Sequence, residues 1–357
     1  MQNFDRAFDY LRQAISDGAA PCAAAAVGVR STSIRTDIYG NAAIYPSATP
    51  ADLSTRFDMA SMTKIMATTM IALRFLEMKR LNLQDNIGNY FENAGAFSAV
   101  TVFQLLTHTG GFAPYLDLAR LCQNKEDVLT AIFASAPVCT PGTQVFYSCM
   151  GFIVLGKILE KIGGKPLDQL ADTLVFTPLH MTHTGYLPSG TNFASTEMSE
   201  GCYLSGTVHD ENARFLGGIS GNAGVFSDLH DAEIFASMLA SDGLHDGRSF
   251  LLPSTLHMAA QSYTDGMNQR RGLGFHLQSS GSFHGKSALP QCYGHTGFTG
   301  TSLVIDPKTG LYIVLLSNRV HPRRENTQFL EVRRTFHELV MQDFSSGNFS
   351  DLIQTCP

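Results

Sequence analysis

Runs of strand-forming residues occur near both ends of this chain of 357 residues, and a long stretch of different character separates the two groups. The runs cover residues 21–30, 35–42, 272–277, 301–305 and 311–316. Between them, the chain carries helical patterns and glycine-rich loops. Strands from the two ends can form one antiparallel sheet only if the middle of the chain is an inserted domain.

Helices are predicted at both ends of the chain. Apolar residues recur at helical spacing over residues 4–17, and a second helix is predicted over about 325–342. We expect these helices to cover one face of the sheet and the insert to pack against the other face. The predicted fold class is therefore α/β, of the α+β type. Residues 1–60 and 241–357 would form the sheet domain and residues 61–240 the mostly helical insert.

The first candidate for chemistry is Ser61-Met-Thr-Lys64. A spacing of three residues on a helix places both side chains on one face. A serine hydroxyl is a weak nucleophile unless a base lies within hydrogen-bond distance. No charged residue occurs over 65–73, which predicts a helix buried on every side and argues against a solvated lysine. Burial is expected to lower the pKa of Lys64, and the helix N-terminus can offer an N–H group to an oxyanion.

The second candidate is Tyr147-Ser-Cys149, which directly precedes an apolar helical segment. A tyrosine beside a lysine cation can carry a proton to or from a reacting group. A tyrosine at a loop–helix junction is, on its own, more often a packing residue. Tyr147 is therefore a catalytic candidate only in combination with the other motifs.

The third candidate is His295-Thr296-Gly297, followed by Phe298 and a predicted strand. Small residues here would let the backbone of a substrate lie along the edge of the strand. His295 could hold a carboxylate or a carbonyl group, or it could transfer a proton. A lone histidine in a loop would carry no such interpretation.

In this order and at these separations, the three motifs resemble those of the serine β-lactamase and penicillin-binding protein superfamily. The chain looks most similar to class C β-lactamases and to their D-alanyl-D-alanine carboxypeptidase and esterase relatives. The likeness extends from about residue 5 to residue 342. Supporting stretches are residues 57–64, 105–110, 217–227 and 315–319.

The resemblance implies a role for each motif. Ser61 would be acylated, while Lys64 and Tyr147 would manage its proton. The backbone N–H groups of Ser61 and Phe298 would form an oxyanion hole. His295 takes the place that lysine holds in the Lys-Thr-Gly motif of the lactamases. The chain would then be a serine hydrolase that cleaves a small amide or ester through an acyl-enzyme.

Cys149 departs from the family pattern, in which the second motif reads Tyr-X-Asn. The amide of that asparagine would donate to a substrate carbonyl and hold the lysine, and a thiol does both poorly. Efficient β-lactam turnover is therefore in doubt, and a β-lactam, a D-alanyl peptide and a carboxylic ester all stay open as substrates. The departure is also the sole support for a second hypothesis, a penicillin-binding or sensor protein without turnover.

Composition excludes several other functions. The net charge is -6 with no basic block, so no nucleic-acid partner is expected, and no apolar run is long enough to span a bilayer. The seven cysteines are scattered without a CxxC pair, and the HxxH at His180 and His183 lacks further ligands, so neither a disulfide framework nor a metal site is predicted. We expect a small-molecule substrate and no cofactor. We also expect a cytoplasmic location, with export after removal of a leader as the alternative, and the oligomeric state stays open.

Overall fold

The computed structural model describes residues 4–347. In this part of the chain the strands are β1 (Cys22–Val29), β2 (Thr32–Ala43), β3 (Thr49–Pro50), β4 (Phe57–Asp58), β5 (Gly185–Tyr186), β6 (Met198–Ser199), β7 (Cys202–Tyr203), β8 (Val225–Ser227), β9 (Leu244–His245), β10 (Arg248–Ser249), β11 (His276–Leu277), β12 (Tyr293–Thr296), β13 (Ser302–Asp306) and β14 (Leu311–Ser317).

The α-helices are α1 (Asp5–Ser16), α2 (Met70–Glu77), α3 (Val102–Leu106), α4 (Leu118–Leu121), α5 (Val128–Ala134), α6 (Cys149–Gly163), α7 (Leu167–Ala171), α8 (Glu211–Phe215), α9 (Leu229–Ala240), α10 (Pro253–Ala260) and α11 (Gln328–Ser346). Single turns of 3₁₀-helix cover Ala60–Met62, Ile87–Asn89, Gly95–Phe97 and Lys125–Asp127, and π-helical turns cover Lys64–Thr69 and Asp172–Phe176.

One seven-stranded sheet joins the two ends of the chain, in the order β11-β12-β13-β14-β1-β2-β3. At its centre β1 runs antiparallel to β14, with Ala23 opposite Ser317 and Val29 opposite Leu311. The remaining neighbours in this sheet are antiparallel as well. The predicted antiparallel sheet, built from both ends of the chain, is confirmed.

Both faces of the sheet are covered, because alternate residues of a strand point to opposite sides. On β14, Leu311, Ile313 and Leu315 share a buried cluster with residues of α1 and α11. Tyr312, Val314 and Leu316 belong instead to the core formed with the helices from the middle of the chain. The terminal helices therefore cover one face, as the sequence predicts. On the other face, α9 contacts β1, β13 and β14.

Residues 272–277 differ from the strand predicted there, since only His276 and Leu277 are paired in β11. Gly274 has φ +80, and Gly272 donates its backbone N–H to the carbonyl oxygen of Phe275 at 3.0 Å. The segment therefore turns back on itself before the strand begins. The aliphatic residues that predict a strand are buried, but they are buried in a tight turn.

No helix within residues 4–347 combines the length and the apolar character that crossing a bilayer requires. The cysteines at 22, 122, 139, 149, 202 and 292 are free thiols. Cys356 lies outside the described residues.

Candidate active site

A strained turn after β4 presents Ser61. Ala60, the residue before it, has φ 46, which is unfavourable for a side chain with a Cβ atom. Buried Asp58 holds the turn, because one carboxylate oxygen accepts from the backbone N–H of Ala60 at 2.8 Å. The other oxygen accepts from the backbone N–H of His209 at 2.6 Å. Backbone strain of this kind persists where the surroundings fix the chain, and it is common at active sites.

Lys64 lies directly behind Ser61 and is completely buried. Its ammonium donates to Ser61 Oγ at 3.0 Å and to the carbonyl oxygen of Asn222 at 3.0 Å, and it lies 3.6 Å from Cys149 Sγ. The helix that follows is buried through residue 73, as predicted from its lack of charge. Its first turns are π-helical over Lys64–Thr69. The hydroxyl and the amine therefore share one face and are within hydrogen-bond distance.

The pKa of Lys64 differs in direction from the sequence-based expectation. Burial alone lowers it, but the proximity of Cys149 and Tyr147 raises it, and the net direction is upward. The expected net lowering is therefore wrong. Burial also raises the pKa of the Cys149 thiol. Lys64 is consequently a cation at neutral pH and a hydrogen-bond donor to Ser61 rather than a free base.

Tyr147 lies in the loop before α6, and its ring centre is 5.0 Å from Lys64 Nζ. His108 supports this loop from behind. Its ring packs against Tyr147 with ring centres 4.6 Å apart, and its Nδ1 accepts from the backbone N–H of Ser148 at 3.1 Å. The side chain of Ser148 caps α6 by accepting from the N–H of Gly151. His108 therefore has a structural role, because its contacts fix the position of Tyr147.

His295 is in β12, and the surroundings fix its tautomer. Its Nδ1 lies 2.8 Å from the carbonyl oxygen of Thr296, which can only accept, so Nδ1 carries the proton. Its Nε2 is then a hydrogen-bond acceptor, and this buried atom has no partner within residues 4–347. Burial, together with the charges of Lys64 and Arg271, holds the pKa of His295 well below its usual value. The histidine is therefore neutral and offers a lone pair, not a proton.

Gly297 and Phe298 follow β12 in the chain, and this loop lies against the turn that precedes Ser61. Gly297 packs against the backbone of Met59 and the Cβ atom of Ala60. Phe298 is about half exposed, at 48%, and its ring stacks on His209 with centres 5.5 Å apart. The third motif and the first motif are thus in direct contact.

A cavity of about 530 Å³ opens above these groups. Among the residues expected to form the site, its walls include Ser61, Tyr147, His295, Thr296, Gly297 and Phe298. The other two, Lys64 and Cys149, lie behind Ser61. The structure therefore brings all the expected site residues together around one cavity.

Several residues of this site were not singled out from the sequence. Asn222 accepts a hydrogen bond from Lys64 on its backbone carbonyl oxygen. Arg271, Arg319 and Arg333 border the cavity. The glycine-rich stretch over 217–227 pointed to the loop of Asn222. Nothing in the sequence distinguishes the three arginines from arginines on the surface.

The two histidines of the HxxH motif lie in separate groups. His183 Nδ1 is 2.7 Å from Asp228, and the backbone N–H of His183 donates to Asp231 at 2.7 Å. His180 instead lies 3.7 Å from Asp246. The motif therefore does not form a common pair of metal ligands, and neither group borders the cavity of Ser61.

Comparison with known proteins gives matches over most of the chain. The family model described as Beta-lactamase matches residues 4–334. A protein of Escherichia coli (strain K12) with the provisional name D-alanyl-D-alanine carboxypeptidase is 30% identical over 321 residues, which covers 79% of this chain and 73% of that protein.

Solved structures show the same fold. A penicillin-binding protein homologue from Caulobacter crescentus has a TM-score of 0.77 at 16% identity, covering 96% of this chain and 97% of its own. EstCE1, described as a hydrolase with promiscuous acyltransferase activity, has a TM-score of 0.76 at 20% identity, covering 94% of this chain and 98% of its own.

Proposed function

The chain belongs to the beta-lactamase family and is a serine hydrolase, and from this premise we propose that Ser61 is its nucleophile. The observation that carries the proposal is the 3.0 Å contact between Lys64 Nζ and Ser61 Oγ at the floor of a cavity. The substrate is a small amide or ester. No metal and no cofactor enters the proposed reaction.

In the proposed acylation, Ser61 Oγ attacks the carbonyl carbon of the substrate while its proton passes to the oxygen of Tyr147, and the tyrosine's own hydroxyl proton passes to the leaving amine or alcohol. Lys64, as a cation, donates to Ser61 Oγ and stabilises the alkoxide that develops. The bond between the carbonyl carbon and the protonated leaving group then breaks. The product of this step is an ester between the acyl group and Ser61.

In the proposed deacylation, the oxygen of water attacks the ester carbonyl while Tyr147 accepts a proton from the water and passes its own hydroxyl proton to Ser61 Oγ. The bond between the carbonyl carbon and Ser61 Oγ breaks, and the carboxylic acid leaves. The same tyrosine therefore serves both half-reactions, which is the expectation from microscopic reversibility.

We propose that the backbone N–H groups of Ser61 and Phe298 bind the oxyanion. The packing of Gly297 against Met59 and Ala60 supports this role, because it brings the two segments side by side. Within the described chain, β12 pairs with β11 only at Tyr293 and Gly294, so His295 and Thr296 have no strand on that side. An extended substrate can add there as a further strand.

Cys149 bears on the choice among substrates. Its thiol lies 3.6 Å from Lys64, where the family pattern places an asparagine amide. A thiol is a weak donor to a substrate carbonyl, so we rank D-alanyl peptides and carboxylic esters above β-lactams. A penicillin-binding role without turnover is not favoured, because Ser61, Lys64 and Tyr147 lie together around one cavity.

We further propose that the molecule is organised as residues 1–60 with 241–357 and the insert 61–240, with Ser61 at the junction. The pairing of β1 with β14 supports this division. A cytoplasmic location is also proposed. Its support is the set of free thiols, since unpaired cysteines are typical of reducing compartments. Fractionation of cells that express the full-length gene tests the location.

Intact-mass spectrometry with three probes tests the proposed function: 4-nitrophenyl acetate, nitrocefin and a fluorescent penicillin. We expect an adduct on the wild-type protein and rapid release of 4-nitrophenol. Ser61→Ala is expected to abolish both, whereas Ser205→Ala, at an exposed serine outside the cavity, serves as the matched control. Full activity of Ser61→Ala would refute the nucleophile. A lasting penicillin adduct with no turnover of any probe would favour the binding role.

A further inference from the structure

Three buried arginines border the cavity of Ser61 without a carboxylate partner. Arg271, Arg319 and Arg333 are exposed by only 4%, 3% and 9%. Within residues 4–347, no aspartate or glutamate forms an ion pair with any of them. Arg324, which is more exposed, pairs with Glu197 and Glu211.

The bonds that these arginines do form are to neutral groups. Arg271 donates to the side-chain oxygen of Gln269 at 2.6 Å, and Arg333 donates to the carbonyl oxygen of Thr301 at 3.4 Å. Arg319 donates to two backbone carbonyl oxygens of the loop that follows it. In each of the three, the buried Nε atom has no partner within the described residues. Each of these arginines, all of which border the cavity, therefore has an N–H donor without a partner among the described residues.

The described walls of this cavity carry positive charge and no negative charge. Burial lowers the pKa of Arg271 and of Arg333 to about 10, so both stay cations at neutral pH. The neighbouring His276 and His295 are neutral, because burial holds the pKa of each far below its usual value. No aspartate or glutamate is among the described residues that line the walls. A buried charge without a counter-ion is costly, and an anionic ligand removes that cost.

The arginines occupy two positions around His295. Arg271 lies beside Tyr147, with its guanidinium carbon 5.4 Å from the centre of the tyrosine ring. Arg319 and Arg333 both contact the loop that follows Phe298: the backbone N–H of Arg319 donates to the carbonyl oxygen of Thr299 at 3.0 Å, and Arg333 donates to that of Thr301 at 3.4 Å. One carboxylate pairs with one planar guanidinium through two parallel hydrogen bonds. A single carboxylate therefore leaves one of the two positions unpaired.

We propose that the part of the substrate that enters this cavity is a compact dicarboxylate, with one acid at Arg271 and the other at the pair Arg319 and Arg333. This inference rests on the proposed function, since the same cavity holds Ser61. It narrows the substrate class from small amides and esters in general to those that carry a dicarboxylic group, such as a peptide with an acidic terminal residue.

Inhibition of 4-nitrophenyl acetate hydrolysis by glutarate and by glutaramate tests the proposal at constant ionic strength. The two compounds have the same size, but glutaramate has a carboxamide in place of one carboxylate. We expect glutarate to inhibit at a concentration about tenfold lower, the scale of one charge-assisted contact. Equal inhibition would overturn the proposal, and so would stronger inhibition by inorganic phosphate than by glutarate. This comparison uses the wild-type protein and does not depend on any variant.

Variants then locate the two positions. Arg271→Gln and Arg333→Gln are each expected to bring the ratio between the two inhibitors close to one. Arg270→Gln is the matched control, because Arg270 is a half-buried neighbour that pairs with Asp265 and does not line the cavity. An unchanged ratio in both cavity variants would contradict the assignment. If the ester is not hydrolysed at all, the proposed function fails, and calorimetric titration of the protein with the same two compounds still tests the dicarboxylate site.

Discussion

Gly297 lies so close to Met59 that a Cβ atom on the glycine would come within 2.6 Å of the methionine carbonyl oxygen. Two threonines hold the same contact. Thr299 donates to the carbonyl oxygen of Asp58 at 2.8 Å, and Thr301 donates to that of Met59 at 3.1 Å. The loop after β12 and the turn that presents Ser61 are therefore fixed against each other.

Gly297→Ala is expected to separate these two segments. The added methyl group cannot fit without a backbone shift, and overpacking of this kind costs about 1–3 kcal/mol. We expect a lower unfolding temperature and a larger loss of ester hydrolysis than the loss of stability accounts for. Gly185→Ala is the control, because a Cβ atom there meets open space and the glycine has no positive φ. Normal activity in Gly297→Ala would mean that the contact does not align the site.

His108→Phe is expected to lower kcat by about tenfold, which corresponds to about 1.4 kcal/mol. The phenyl ring keeps the packing against Tyr147 but leaves the buried N–H of Ser148 without its acceptor. His108 also has φ 57, a conformation that asparagine tolerates well. His108→Asn supplies an oxygen acceptor and should retain more activity than the phenylalanine variant. Steady-state kinetics gives kcat for the two variants. A higher kcat in the phenylalanine variant than in the asparagine variant would exclude this positioning role.

Cys149→Asn is expected to raise the turnover of nitrocefin. The new amide would lie beside Lys64 and could donate to the carbonyl of a bound lactam, which the thiol does poorly. Cys149→Ser, which changes the size little and adds no amide, serves as the comparison. If both variants hydrolyse nitrocefin at the wild-type rate, the cysteine is a neutral replacement, and the rate of lactam turnover is limited by another feature of the site.

Buried histidines make the stability of the protein depend on pH. Burial lowers the pKa of His337 to about 3, whereas an unfolded chain has an ordinary histidine near 6.5. Between these two values the unfolded state binds the extra proton, so the free energy of unfolding falls as the pH decreases from about 6.5 towards 3. One histidine contributes a slope of about 1.4 kcal/mol per pH unit in this range.

His337→Asn is therefore expected to flatten the pH dependence of stability by about that amount, even if it lowers stability at neutral pH. Denaturant unfolding between pH 4 and pH 7 measures the slope. His230→Asn is the control, because His230 is exposed and its loss removes no buried imidazole. Equal slopes in the wild type and in His337→Asn would show that this histidine takes up its proton in the folded state.

The spatial grouping of the motifs follows from the sequence more closely than the secondary structure does. Ser61, Tyr147 and His295, which are predicted to act together, line one cavity. The segment 272–277 is predicted as a strand but is mostly a turn, since burial in a turn produces the same apolar run as burial in a sheet. Short-range patterns do not separate these two cases.

The charges around the site could not be predicted from the sequence. The pKa of Lys64 depends on Tyr147 and Cys149, which are distant in the chain, so an argument from burial alone gave the wrong direction. Arg271 and Arg333 become unusual only because, among the residues that the structure describes, no acid pairs with them. Such an absence is a property of three-dimensional packing and leaves no local signal.

The pairing of β1 with β14 has a consequence for how the protein responds to its ligands. Ser61 and His295 lie far apart in the chain and meet only when the two ends of the sheet have joined. A molecule that contacts both residues binds the folded state alone, since only folding brings the two together. Occupancy of this one small cavity should therefore be readable as a rise in the melting temperature of the entire molecule.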